Sequence, residues 1–204
     1  MPIVEVAWRH LLAGARDGRR RWPSLGVLAA ELDLGISTVH RSLAHPAEIE
    51  AVATLRGGGL QVLDPYQLLM LFAAHRRVQR DVIARRRVAL AVHQVERAIL
   101  DAGGILGAFA AVTAHLGVNR IADYSTVLAY GSETLGGQLP EGGETDVELL
   151  ILTPDRWIAR YGEVTTLAHA YADLFSLPGW QAGRFVDELD PKAIASSDEP
   201  VLFV

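Results

Sequence analysis

LAAELDLGISTVHRSL, residues 28–43, is the stretch whose reading decides the fold. Its apolar residues recur at helical spacing on both sides of Asp33-Leu34-Gly35, which predicts two short helices meeting at a tight turn. The first helix starts upstream at Pro23-Ser24, with Ser24 as N-cap and Leu25, Leu28, Ala29 and Leu32 on one face. The second covers ISTVHRSL, residues 36–43, with Ile36, Val39 and Leu43 on its apolar side. Ala29 is small enough to let the helices approach, and Leu32, Leu34, Val39 and Leu43 fill the seam between them. Gly35 lets the chain enter the second helix. Asp33 takes a turn position often held by glycine, and its short polar side chain tolerates left-handed backbone better than most.

Working outward, VEVAWRHLLAGA (4–15) reads as an amphipathic helix, and Asp17 to Trp22 as a basic loop. AVATLR (51–56) and LQVL (60–63) are β-prone runs around Gly57-Gly58-Gly59, the pattern of a hairpin with a flexible tip. Asp64-Pro65 is a helix start, N-cap then first helical position. The expected helix runs on through YQLLMLFAAHRRVQRDVIARRR and grows arginine-rich toward its C-terminal end, as the helix dipole favours.

The order helix, helix, turn, helix, hairpin, helix over residues 4–87 resembles a winged helix-turn-helix, and residues 28–43 resemble the helix-turn-helix of many bacterial transcriptional regulators. The resemblance implies double-stranded DNA as partner. Ser37, Thr38, His40 and Arg41 would then face base edges in a major groove, with Arg41 suited to guanine. Arg56 beside the glycine tip would be the wing contact, and Arg19, Arg20 and Arg21 would meet phosphates. A single module of this size reads few bases, so a homodimer on a two-part site is the expected working form. The alternative from another class is a protein-interaction module, with His40 and Arg41 as plain surface residues.

After residue 88 the composition turns small and apolar. Residues 89–100 and 105–116 read as one or two buried helices around Gly103-Gly104. YSTVLAY (124–130) and VELLIL (147–152) read as strands joined by the glycine-rich stretch 131–145. Residues 154–175 are expected as a helix, with further strands at 184–186 and 201–204. The fold class that follows is α+β: a winged helix-turn-helix over 1–88, then a small mixed α/β domain over 89–204.

Two resemblances compete for that second half. A hairpin leading into LDPYQLLMLFAAHR, with GAFAAVTAHLG (107–117), DYSTVLAYG and DVELLILTPD (146–155), resembles AbiEi-type antitoxin regulators, which join a winged helix to a C-terminal domain and autoregulate their operon. Gly131-Ser132 followed after 13 residues by Asp146-Val147-Glu148-Leu149 resembles nucleotidyltransferases of the DNA polymerase β type. That second likeness implies magnesium held by Asp146 and Glu148, which alternate onto one strand face, with Asp187 as third carboxylate and Ser132 cradling a phosphate. Against activity, ETLGGQLPEGGET (133–145) is acidic where a triphosphate would sit, and no Lys or Arg lies between Arg120 and Arg156. The favoured reading therefore has no catalytic or metal residues. The scattered histidines form no HExxH pair, Ser132, His169 and Asp187 lack a G-x-S-x-G elbow, and Trp157 and Trp180 are expected to anchor packing.

The whole chain has 204 residues, half of them hydrophobic and 21% charged, which supports a real core and excludes a disordered chain. With no cysteine, disulfides, thiolate zinc sites and cysteine nucleophiles are excluded. The absence of a signal-like N-terminus or a membrane-length apolar run makes a soluble cytoplasmic protein the expectation. Net charge is −5, split between 13 basic and 8 acidic residues over 1–90 and 6 against 16 beyond. That asymmetry predicts a polyanion on the first half, with dimerisation, effector sensing or a partner protein on the second.

Overall fold

The computed structural model describes residues 2–117 and 121–196, so the strand expected at 201–204 lies outside the described residues. The fold is mixed α+β with two small sheets. It divides into two compact units, one comprising Pro2–His75 with the segment from Leu189 on, the other Arg76–Glu188. No described helix is long and apolar enough to cross a membrane.

In the first unit α1 (Ile3–Arg16) buries Val6, Ala7, Trp8, Leu11, Leu12 and Ala15, the helical-period face of the sequence. Ser24 caps α2 (Leu25–Glu31), its Oγ accepting from the Val27 N–H at 3.2 Å. α3 (Ile36–Ser42) follows a turn in which Asp33 has φ +47°, the left-handed geometry anticipated for that position. After α4 (Ala44–Glu48) come β2 (Val52–Thr54) and β3 (Leu60–Val62). The 17–22 stretch is not wholly loop, because Arg21–Trp22 forms β1, pairing antiparallel with Gln61 and Leu60 in a sheet of order β1-β3-β2. The strand buries Trp22 completely, which gives the backbone a reason to extend there.

Asp64 caps α5 (Pro65–His75) through the Gln67 N–H at 3.0 Å. This helix is much shorter than expected. VIARRRV has β-branched residues at its ends and a burial pattern alternating along the chain, so residues 82–88 form a strand rather than the end of an arginine-rich helix. α11 (Pro191–Ala195) packs on α1 and α5, and Arg16 Nη1 donates to its terminal carbonyls at Ala193 (3.0 Å) and Ile194 (3.3 Å).

The second unit opens with α6 (Val78–Asp81) and β4 (Val82–Val88), then α7 (Val92–Asp101), β5 (Ile105–Leu106), α8 (Ala108–Leu116), β6 (Thr126–Tyr130) and β7 (Val147–Leu152). A 3-10 turn at Ile158–Tyr161, α9 (Leu167–Ser176) and α10 (Trp180–Glu188) complete it. Sheet order is β4-β7-β6-β5, with β6 and β7 parallel and the other pairs antiparallel. Val127, Ala129, Val147, Leu149 and Ile151 form one core with Val95 and Ile99 of α7. The α-helix expected over 154–175 begins only at Leu167, with the 3-10 turn Ile158–Tyr161 ahead of it. The strand expected at 184–186 is instead inside α10, where Ala182 and Phe185, three apart, are the buried pair. Trp157 is buried as anticipated, whereas Trp180 is 73% exposed.

Candidate nucleic-acid interface

α3 is fixed from its inner side. Val39 and Ser42 are buried, Ser42 Oγ donates to the Val39 carbonyl at 2.7 Å, and Trp8 Nε1 donates to the Ser42 carbonyl at 2.7 Å. Those contacts turn Ser37, His40 and Arg41 to solvent, with Thr38 half-buried beside them. At the hairpin, Gly57 and Gly58 take φ +98° and +89°, values that side chains rarely adopt, and Arg56 is exposed next to them. A Cβ on Gly59 would lie 3.1 Å from the Trp22 carbonyl oxygen, so glycine there lets the hairpin lie close on β1. Arg21 and Arg56 consequently line one open groove of about 280 Å³, floored by Trp22 and Gly59.

Of the three arginines expected at phosphates, Arg20 and Arg21 are exposed, with no carboxylate partner among the described residues. Arg19 is committed elsewhere: it donates to Glu31 Oε1 at 2.5 Å and lies over the Trp22 ring, 4.7 Å from its centroid. Glu31 also takes His10 Nε2 at 2.9 Å and Trp22 Nε1 at 3.0 Å, joining α2 to α1 and β1. Burial pushes this carboxyl up, but the hydrogen bonds from Arg19, His10 and Trp22 outweigh it and take it from 4.5 down to about 2. Glu31 escaped the sequence reading because its partners come from two other segments, His10 on α1 and Arg19 and Trp22 on the 17–22 stretch.

Charge is divided between the two units differently from the two halves of the sequence. Arg76 to Arg87, which supplied much of the basic half, belong to the second unit. Pro2–His75 carries seven arginines and seven carboxylates, no net charge. What distinguishes it is where its unpaired cations stand.

The residues of the transferase likeness are not brought together. β6 and β7 run parallel with Thr126 opposite Glu148 and Tyr130 opposite Leu152. Gly131-Ser132 thus leaves one end of the pair while Asp146 and Glu148 enter at the other, five or more residue steps away along the strands, roughly 17 Å at about 3.3 Å per residue. Glu148 is held by Arg85 at 3.1 Å and Arg87 at 3.8 Å, and Asp146 Oδ2 accepts from the Gly143 N–H at 2.8 Å. Asp187 is exposed on α10 rather than on a strand, and Ser132 bonds Thr134 at 3.0 Å. No group of three His, Asp or Glu side chains suited to a metal occurs among the described residues. These residues do not fit a magnesium site, and no step through magnesium follows from them.

A buried polar cluster in the second unit was missed. Arg76 Nε donates to Asp173 Oδ1 at 2.8 Å, its Nη1 to Asp81, and its Nη2 to the Tyr130 hydroxyl at 3.1 Å. Tyr130 donates its one proton to Asp173 Oδ2 at 2.6 Å, which leaves His169 Nε2, 3.0 Å from the Tyr130 hydroxyl oxygen, as a donor to that hydroxyl. Burial raises the Tyr130 hydroxyl well above its ordinary range, and Asp173 adds to the effect. Arg76, Asp173 and His169 are fully buried, so the cluster ties the start of the unit to β6 and α9. The four-residue spacing of His169 and Asp173 on a helix was its one sequence signal. Gly107 is part of the same packing, since a Cβ there would come within 2.6 Å of Leu128 and 3.1 Å of Asp173 Oδ2.

Comparison with protein-family models, curated proteins and solved structures found no match.

Proposed function

We propose that Pro2–His75 is a winged helix-turn-helix that binds duplex DNA, and that the protein is a sequence-specific bacterial transcriptional regulator working in the cytoplasm as a homodimer. Repression of its own operon in the antitoxin manner is the biological form this reading takes. The observation that carries it is the outward face of α3, with Ser37, Thr38, His40 and Arg41, together with the unpaired cations Arg20, Arg21 and Arg56 of the same unit. In this mechanism α3 enters the major groove and Arg41 presents two parallel donors to guanine. Ser37 and Thr38 bond bases or phosphates, and His40 borders the same groove. Arg20 and Arg21 at β1 and Arg56 at the wing hold the register on phosphates, adding affinity without sequence preference. Arg19 acts indirectly, keeping α2 in place through Glu31. The second unit supplies dimerisation or a surface for an effector or partner protein.

The test is titration of the duplex upstream of the protein's own gene against a scrambled duplex, for wild type and Arg41→Ala. The reading expects preference for the upstream duplex and its loss in the variant, at a cost of about 1–3 kcal/mol. Equal, feeble binding to both duplexes would overturn it and favour a protein-interaction role for this unit.

A further inference from the structure

α10 presents a stripe that its own unit does not use. Trp180, Gly183, Arg184 and Asp187 are spaced i, i+3, i+4 and i+7, so they share one side of the helix, and all four are exposed. The opposite side is fully engaged: Ala182 and Phe185 are buried, and the Phe185 ring stands edge-on to Phe109 and Tyr124 at 5.0 and 5.9 Å. Trp8, Trp22 and Trp157 are buried, which sets the 73% exposure of Trp180 apart.

Gly183 adds a second, independent observation. It sits mid-helix, where glycine is less stable than alanine, yet a Cβ there would meet nothing within 4 Å and its φ is not left-handed. Neither packing among the described residues nor backbone geometry requires glycine. A missing side chain on an exposed helix face does one thing well: it allows another helix to come close.

We infer that this stripe is a homodimer contact in which α10 of one chain packs antiparallel on α10 of a second copy. About a twofold axis between residues 183 and 184, a residue of one helix faces the residue equally far on the other side in its partner. Trp180 then faces Asp187 of the other chain, matching an indole N–H that needs an acceptor to a carboxylate with no partner among the described residues. The Arg184 stem crosses the notch at Gly183, its charge already balanced by Glu188 at 2.5 Å in its own helix. Across that axis the indole donor meets a carboxylate acceptor and the Arg184 stem meets the Gly183 notch, so the stripe complements itself in shape and hydrogen bonding, which is why the occupant is a second copy.

This contact deepens the homodimer of the proposed function by naming its surface, and because it is measured without DNA its failure would leave duplex binding standing. Sedimentation of the full chain from low micromolar to sub-millimolar concentration should show mass rising from 22.1 kDa to twice that, with tryptophan emission shifting to the blue as Trp180 is covered. Trp180→Ala and Gly183→Leu should each weaken association by roughly thirtyfold. Gly183→Ala sharpens the sign: it should raise Tm in dilute solution while weakening the dimer. Unchanged circular dichroism of the dilute variants shows that each folds. A monomer at every concentration, or a dimer untouched by Trp180→Ala and Gly183→Leu, would overturn the inference.

Discussion

In Pro2–His75 the exposed arginines Arg20, Arg21, Arg41 and Arg56 stand without carboxylate partners among the described residues, whereas in Arg76–Glu188 Arg76 is bound to Asp173 and Asp81, Arg85 and Arg87 share Glu148, and Arg184 meets Glu188. The first set is ready for an external anion; the second is spent inside the protein. An arginine already paired must give up one partner to gain another, so its charge adds little to the binding of a polyanion. The contrast shows why net charge along a sequence misleads, since an arginine counted in the total can already be balanced by a carboxylate of its own unit.

Breaking the internal pairing of the second unit should have the largest effect. Asp173→Ala leaves the buried Arg76 guanidinium short of its main partner, and equilibrium unfolding should report a loss of about 3–5 kcal/mol. Stability unchanged within error would show that Asp81 and Tyr130 suffice for Arg76. The free set comes next: Arg41→Ala should weaken specific duplex binding about 5- to 150-fold while leaving thermal stability within about 0.5 kcal/mol. A lower Tm in that variant would place Arg41 in the scaffold instead.

Glu31 sharpens the comparison from inside the first unit, as the carboxylate that removes Arg19 from the free set. Glu31→Gln should cost about 1 kcal/mol at neutral pH, an amount discounted for the solvent around the pair. A carboxyl depressed from 4.5 to about 2 stabilises the fold above pH 4.5 and loses that contribution as pH falls toward 2. The gap between wild type and variant should therefore close over that window, and acid denaturation curves with a constant gap would refute the coupling. The smallest effect is expected at Arg85→Ala, an exposed pair with Glu148, worth under about 1 kcal/mol in stability and nothing in duplex affinity.

Local signals were the legible part of the fold. The Ser24 and Asp64 caps, the Asp33 turn, the glycine-tipped hairpin and VELLIL at 147–152 are set by neighbours in sequence, and each stands where its residues indicated. The long-range features were hidden. Residues 82–88 are a strand because β7 lies beside them, and Arg21–Trp22 because β3 does; neither partner is visible from the stretch itself. At the candidate interface the exposure of Ser37, His40 and Arg41 was readable from helical period. Arg19 looked equivalent to Arg20 and Arg21 until Glu31, on another helix, claimed it. The Ser132 and Asp146–Glu148 pattern had the spacing of a site, but spacing does not say that β6 and β7 run parallel and carry the two motifs to opposite ends.

The most direct test of the account is the salt dependence of duplex affinity in two variants, Arg20→Ala/Arg21→Ala/Arg56→Ala and Arg85→Ala/Arg87→Ala. Each phosphate contact contributes about 0.9 to the slope of log affinity against log salt. The account predicts that the first variant flattens the slope by about 2 to 3 per protomer, while the second leaves it unchanged. The reverse pattern, or no effect from either, would contradict the claim that the unpaired arginines of the first unit meet the DNA.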